Sequence, residues 1–126
     1  MAELVRGQAS FGDIISRDVG SRAHIVTAGQ VGNDAAGLIQ SQMLWTAIGA
    51  LRQSYDHLVI DVGALTEVPL APVAATTSYA VLIGGDTKAK ALTALAGQLQ
   101  AAGFAEVAVL SGPPPALEQA AAQSAA

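Results

Sequence analysis

Tyr55-Asp56-His57-Leu58-Val59-Ile60-Asp61 is the stretch on which the reading of this chain turns. A helix-periodic segment runs into it and the glycine-bearing turn Val62-Gly63-Ala64 follows. The continuous apolar run from Leu58 to Ile60 has the pattern of a strand covered on both faces, as in a parallel sheet. It ends on an acid, Asp61. In nucleotide hydrolases an acid at the end of a buried strand holds Mg²⁺, and its partner is a Gly-rich loop ending in Lys-Ser or Lys-Thr. This chain contains no G-x-x-x-x-G-K-[ST]. The sequence therefore reads as part of a nucleotide-binding architecture that lacks its phosphate grip.

Working outward, Asp34 is placed to cap a helix continuing to Tyr55, with Leu38, Leu44, Ile48, Leu51 and Tyr55 as its apolar stripe. Upstream, Ala23–Thr27 is a short β-branched run closed by Ala28-Gly29, which predicts a strand. Residues 10–17 predict a short helix capped by Ser10, with Phe11, Ile14 and Ile15 on its apolar face. Downstream, Pro69 and Pro72 break the chain into a loop and a short helix near 71–77. Tyr79–Ile83 predicts a strand. Asp86 or Thr87 would cap a helix carrying Leu92, Leu95, Leu99 and Ala102, with Gly103 as its stop. Glu106–Leu110 predicts a last strand. Alternating strands and helices imply parallel strands with right-handed crossovers. The expected fold is α/β and three-layered: a mostly parallel sheet of about four strands with helices on both faces, Rossmann-like. One domain is expected over residues 1–112, with a Pro/Ala-rich, weakly helical tail over 113–126.

Composition narrows the function. At 126 residues the chain has room for one domain. Apolar residues make up 52% and aromatics only 4%, a balance that suits close helix-on-sheet packing. The net charge of −4 and six scattered Lys and Arg argue against nucleic acid as a partner. With no cysteine, disulfides and thiolate metal sites are excluded. No apolar run approaches the roughly 18 residues needed to span a bilayer. Met1–Gly7 lacks the basic start and long apolar core of a secretory signal. These features point to the cytoplasm.

Four candidates for chemistry stand out. Asp61 can bind Mg²⁺ or, more simply, accept backbone N–H groups of the turn after it. Gly84-Gly85-Asp86-Thr87-Lys88 lies between a strand and a helix, where phosphate can be cradled. However, Asp86 puts negative charge where the anion would sit, so an ordinary turn is the simpler reading. His24 and His57 have no second ligand at metal spacing. No serine sits in a G-x-S-x-G turn. A phosphoacceptor role for Asp61 would need acids at the end of the first strand and a lysine after the last. The chain offers Thr27-Ala28-Gly29 and Leu110-Ser111-Gly112 there instead.

Taken in order, these pieces resemble the C-terminal half of the cytoplasmic P-loop domain of bacterial tyrosine kinases and exopolysaccharide chain-length determinant proteins, in the deviant-Walker (ParA/MinD-like) group. Leu4-Val5-Arg6-Gly7 with Asp13-Ile14-Ile15 is similar to one family segment. Ala28–Asn33 with Gly37–Ser41 is similar to the family's "G…N-P-x-E-L-L-x-S" stretch. Tyr55–Asp61 resembles the Walker B strand "Y-D-x-V-I-I-D". Tyr79–Ile83 with Thr87, and Ala102-Gly103 with Val107–Leu110, resemble the elements that close the fold. Departures accompany the likeness. Val62-Gly63-Ala64 replaces Thr-Pro-Pro, Ser111 replaces an Asn near the nucleotide base, and the tail carries no tyrosine.

The resemblance implies a non-catalytic, P-loop-derived domain of an exopolysaccharide biosynthesis or transport protein. It would act by protein–protein contact with a membrane polysaccharide copolymerase subunit or domain, at the inner face of the inner membrane. No cofactor is expected for this chain alone. Were a Walker A half to complete it, Asp61 would serve Mg-ATP in a tyrosine-kinase-like site. A third reading is an unrelated small α/β binding module. Self-association is also expected. The missing central strand leaves Leu58-Val59-Ile60 as an apolar edge, to be met by a second copy or by Tyr79–Ile83 in a rearranged sheet.

Overall fold

A computed structural model describes residues 1–65 and 68–113. The elements in chain order are α1 (Ala2–Val5), α2 (Phe11–Ile14), β1 (Ile15–Arg17), β2 (His24–Val26), α3 (Ala35–Gln40), α4 (Gln42–Ser54), α5 (Leu70–Thr76), β3 (Tyr79–Gly85), α6 (Ala89–Ala102) and β4 (Glu106–Ser111). The chain is mixed α/β, with its four strands in two small sheets. β1 and β2 are antiparallel; β3 and β4 are parallel. The expected three-layer parallel sheet is not formed among the described residues. The chain divides into two compact units, residues 1–72 and 73 onward.

In the first unit the expected helix over 10–17 is a single turn. Asp13 Oδ2 accepts from the Ser10 backbone N–H and hydroxyl, both at 2.8 Å, which caps α2. The β-branched pair then turns extended at Ile15 and pairs Ile15 with Val26 and Arg17 with His24. The predicted strand at 23–27 thus exists as β2, but its neighbour is a hairpin partner and not a parallel strand. The helix expected over 34–55 is broken at Ser41, which is extended (φ −69°, ψ 125°). The cause is periodicity. Leu38 and Leu44 are six residues apart, about 120° out of phase on an unbroken helix of 3.6 residues per turn. The break lets α3 and α4 each turn their own apolar side inward. Trp45 Nε1 donates to Ile39 O across it at 2.6 Å. Ile48 and Leu51 are buried as the stripe predicts.

The largest correction falls on the opening stretch. Residues 55–65 carry no strand, and Val59 is 91% exposed. A short apolar run becomes a strand only when a neighbour accepts its ladder. Here β2 is engaged by β1, and β3 by β4 alone. The rearranged sheet expected between Tyr79–Ile83 and Leu58–Asp61 is therefore absent as well.

The second unit follows the sequence closely. β3, α6 and β4 form a β–α–β unit in register from Tyr79↔Glu106 to Ile83↔Leu110. α6 ends in a Schellman motif. Phe104 N donates to Leu99 O at 3.2 Å and Gly103 N to Gln100 O at 3.1 Å, with Gly103 at φ +121°. Leu99 and Phe104, each 4% exposed, supply its apolar contact. The expected cap at Asp86 or Thr87 is not used: α6 begins after an extended Lys88, with no side-chain cap bond. The Gly84–Lys88 turn closes instead through the backbone, Thr87 N to Gly84 O at 2.9 Å. The Ala-rich tail beyond Pro113 lies outside the described residues.

Candidate functional site

Asp61 is exposed, and its Oδ1 accepts the Gly63 backbone N–H at 2.9 Å. Gly63 sits at φ +75°. This is an Asx turn, which suits Asp without requiring a metal. No group of three or more His, Cys, Asp or Glu side chains able to hold a metal ion occurs among the described residues. His24 is paired with the Tyr55 hydroxyl, and His57 is exposed. At Gly84–Lys88, Gly85 takes φ +50° and its carbonyl accepts Gly112 N–H at 3.1 Å, joining the carboxyl ends of β3 and β4.

Two carboxylates are held below the usual range. Glu3 accepts Gln30 N–H at 2.8 Å, and this backbone bond is the first cause of its depression, followed by a bond from its own backbone. Arg6 Nη1 donates to Gln30 O at 2.6 Å, so α1 grips the loop at 27–31 from both sides. Asp13 is lowered first by the Ser10 backbone N–H and then by the Ser10 hydroxyl. Both are exposed local clasps and present no substrate cavity.

A cleft of about 420 Å³ opens beside Tyr79, Val81, Gln100, Glu106 and Ala108. It lies at the amino ends of β3 and β4, whereas ligands of open parallel sheets bind beyond the carboxyl ends. A second, of about 460 Å³, lies at the β1–β2 tip among Arg17, Asp18, Ser21 and Arg22. There the Asp18 carboxylate sits beside the arginines and accepts the Ser21 hydroxyl at 2.6 Å, which weakens any pull on an anion.

The surface that stands out was not read from the sequence. Side chains alternate along β3, so Ala80 and Leu82 are half-buried while Tyr79, Val81 and Ile83 are 67%, 62% and 78% exposed. Register partners in a parallel pair share a face, which adds Ala108 and Leu110 (57% exposed) to that row, with Glu106 at its rim. α6 packs against both strands and takes the other face, so the row has no cover among the described residues. The signal was present: Tyr79-Ala80-Val81-Leu82-Ile83 is apolar at every position, more than one covered face requires. No helix among the described residues is long and apolar enough to cross a membrane. No protein family, curated protein or solved structure matches the chain.

Proposed function

We propose that this chain is a non-catalytic contact module that meets another protein through the uncovered face of β3 and β4. The observation that carries this reading is the exposed apolar row Tyr79, Val81 and Ile83, flanked by Ala108 and Leu110. Parallel sheets are ordinarily covered on both faces, and contiguous exposed apolar patches mark interaction sites. Neither cleft pairs a nucleophile with a base, which leaves contact as the reading the geometry favours.

The family resemblance supplies the setting. The chain would be the P-loop-derived domain of an exopolysaccharide chain-length determinant system, working in the cytoplasm at the inner membrane face. Its partner would be the membrane polysaccharide copolymerase subunit or domain. The expected three-layer architecture is then completed on binding, the partner supplying the layer opposite α6. Self-association through the unpaired outer edges of the two-stranded sheets belongs to the same reading.

The test is co-purification of the full chain with that copolymerase subunit. Val81→Asp and Ile83→Asp, which place charge in the middle of the row, should abolish it. Asp61→Asn should leave it intact. Retention by both row variants, in chains that stay folded by circular dichroism, rules out this face as the contact.

A further inference from the structure

We propose that in the free chain the β3/β4 face is covered by the chain's own residues 116–126, lying across it as a short amphipathic helix antiparallel to β4, and that a partner binds by displacing this segment. The inference rests on the reading of that face as a docking surface. The segment is Ala116-Leu117-Glu118-Gln119-Ala120-Ala121-Ala122-Gln123-Ser124-Ala125-Ala126.

Size decides between occupants. Two strands about 4.8 Å apart present a face about 10 Å wide, and six residues at about 3.3 Å make it about 20 Å long. A helix is about 10 Å across, and eleven residues rise about 16 Å. The footprint of about 200 Å², even doubled for side-chain relief, falls short of the roughly 800 Å² per partner that stable complexes bury. A second copy seated on this face alone is therefore poorly held. A tethered segment needs far less, because the short link Gly112–Pro115 sets a local concentration in the millimolar range.

The register also fits. Leu117, Ala121 and Ala125 repeat every four residues, about 6 Å along a helix. The outward residues of β3 repeat every two, about 6.6 Å along a strand. A segment returning from the end of β4 thus sets Leu117 over Ile83 and Leu110, Ala121 over Val81 and Ala108, and Ala125 over Tyr79. Small side chains meet large ones, while Glu118, Gln119 and Gln123 fall on the opposite side of the helix. Pro113-Pro114-Pro115 prevents β4 from simply extending. A helix this short is marginal alone, so it is ordered by the face and readily displaced from it.

The chain has no cysteine, so introduced pairs report proximity without interference. Full-length Val81→Cys/Ala121→Cys is compared with Val81→Cys/Gln119→Cys, whose second thiol lies on the far side of the helix. With a short thiol–thiol cross-linker in dilute solution, the first pair should close within one chain at least about tenfold faster. Adding Leu117→Asp to the single Val81→Cys variant should speed maleimide labelling several-fold. Equal closure by the two pairs overturns the proposal, because the segment then samples the face without docking. Cross-links only between chains overturn it in favour of a second copy. Absence of any closure, with Val81→Cys labelled equally fast with or without Leu117→Asp, overturns it too. In that last case the partner reading survives and is judged by co-purification.

Discussion

His24 Nδ1 lies 2.6 Å from the Tyr55 hydroxyl oxygen, and the two rings meet edge to face with centroids 5.4 Å apart. Arg17 Nε, which can only donate, points at His24 Nε2 from 3.5 Å. Nε2 therefore accepts, and the neutral ring carries its proton on Nδ1 and donates it to Tyr55. The contact ties the β1–β2 hairpin to the residue that ends α4. It also anchors the start of the irregular stretch 55–65.

A double-mutant cycle on His24→Ala and Tyr55→Phe should show coupling of about 0.5–1 kcal/mol, the worth of one hydrogen bond plus an aromatic edge contact near the surface. Urea unfolding followed by the fluorescence of Trp45, the single tryptophan and a residue of the same unit, reads it directly. Additive single mutants would mean that the hairpin and α4 are held by other contacts.

Acid should loosen the first unit through Glu3 and Asp13. Both carboxyls are held below their ordinary values by hydrogen bonds present only in the folded chain. Their stabilisation is complete above the unfolded values near pH 4 and fades as pH falls through the lower folded values. Thermal melts across the acid range should therefore decline below about pH 4. Glu3→Gln and Asp13→Asn, each already lacking the charge, should reduce that decline. An unchanged acid slope in the double variant would assign acid sensitivity to other groups.

The second unit was legible because its contacts are local. The stripe Leu92, Leu95, Leu99 and Ala102, the stop at Gly103 and the flanking β-branched runs all refer to neighbours within about one crossover. Leu92 and Leu99 are buried where the stripe puts them. The first unit was not, because strand identity there depends on which distant run supplies the ladder. Ala23–Thr27 and Leu58–Asp61 look alike as strings, yet only the former has a partner, and that partner, Ile15–Arg17, sits inside what periodicity alone reads as a helix. The uncovered β3/β4 face escaped for a related reason. An all-apolar strand announces two covered faces without saying whether the second cover lies in the same chain.

Two glycine substitutions in the second unit should move stability in opposite directions. A Cβ on Gly84 would run into the Leu92 side chain, which is itself buried, so Gly84→Ala must push α6 from β3. A loss of about 1–3 kcal/mol is expected from overpacking. Gly97 lies on the exposed side of α6, and a Cβ added there would meet nothing within 4 Å. Gly97→Ala should gain about 0.5–1 kcal/mol from backbone entropy alone. Circular-dichroism melts compare the two, and a neutral Gly84→Ala would show that Leu92 can rotate out of the way.

Asp61 supplies the last prediction, because its two readings separate cleanly. As a turn acceptor for Gly63 N–H it needs an oxygen and not a charge. Asp61→Asn keeps that oxygen, so stability should hold, while Asp61→Ala should lose about 0.5–1 kcal/mol for one exposed hydrogen bond. As a Mg²⁺ ligand it needs the charge, and Asn would abolish any metal-dependent response. Calorimetry with Mg-ATP should show no binding tighter than about 100 μM, about 5.5 kcal/mol. The chain has no Lys-bearing phosphate loop, and its own net charge of −4 repels the triphosphate. Tighter binding that disappears in Asp61→Asn, with the melt unchanged, would move Asp61 from turn residue to metal ligand and reopen the nucleotide reading.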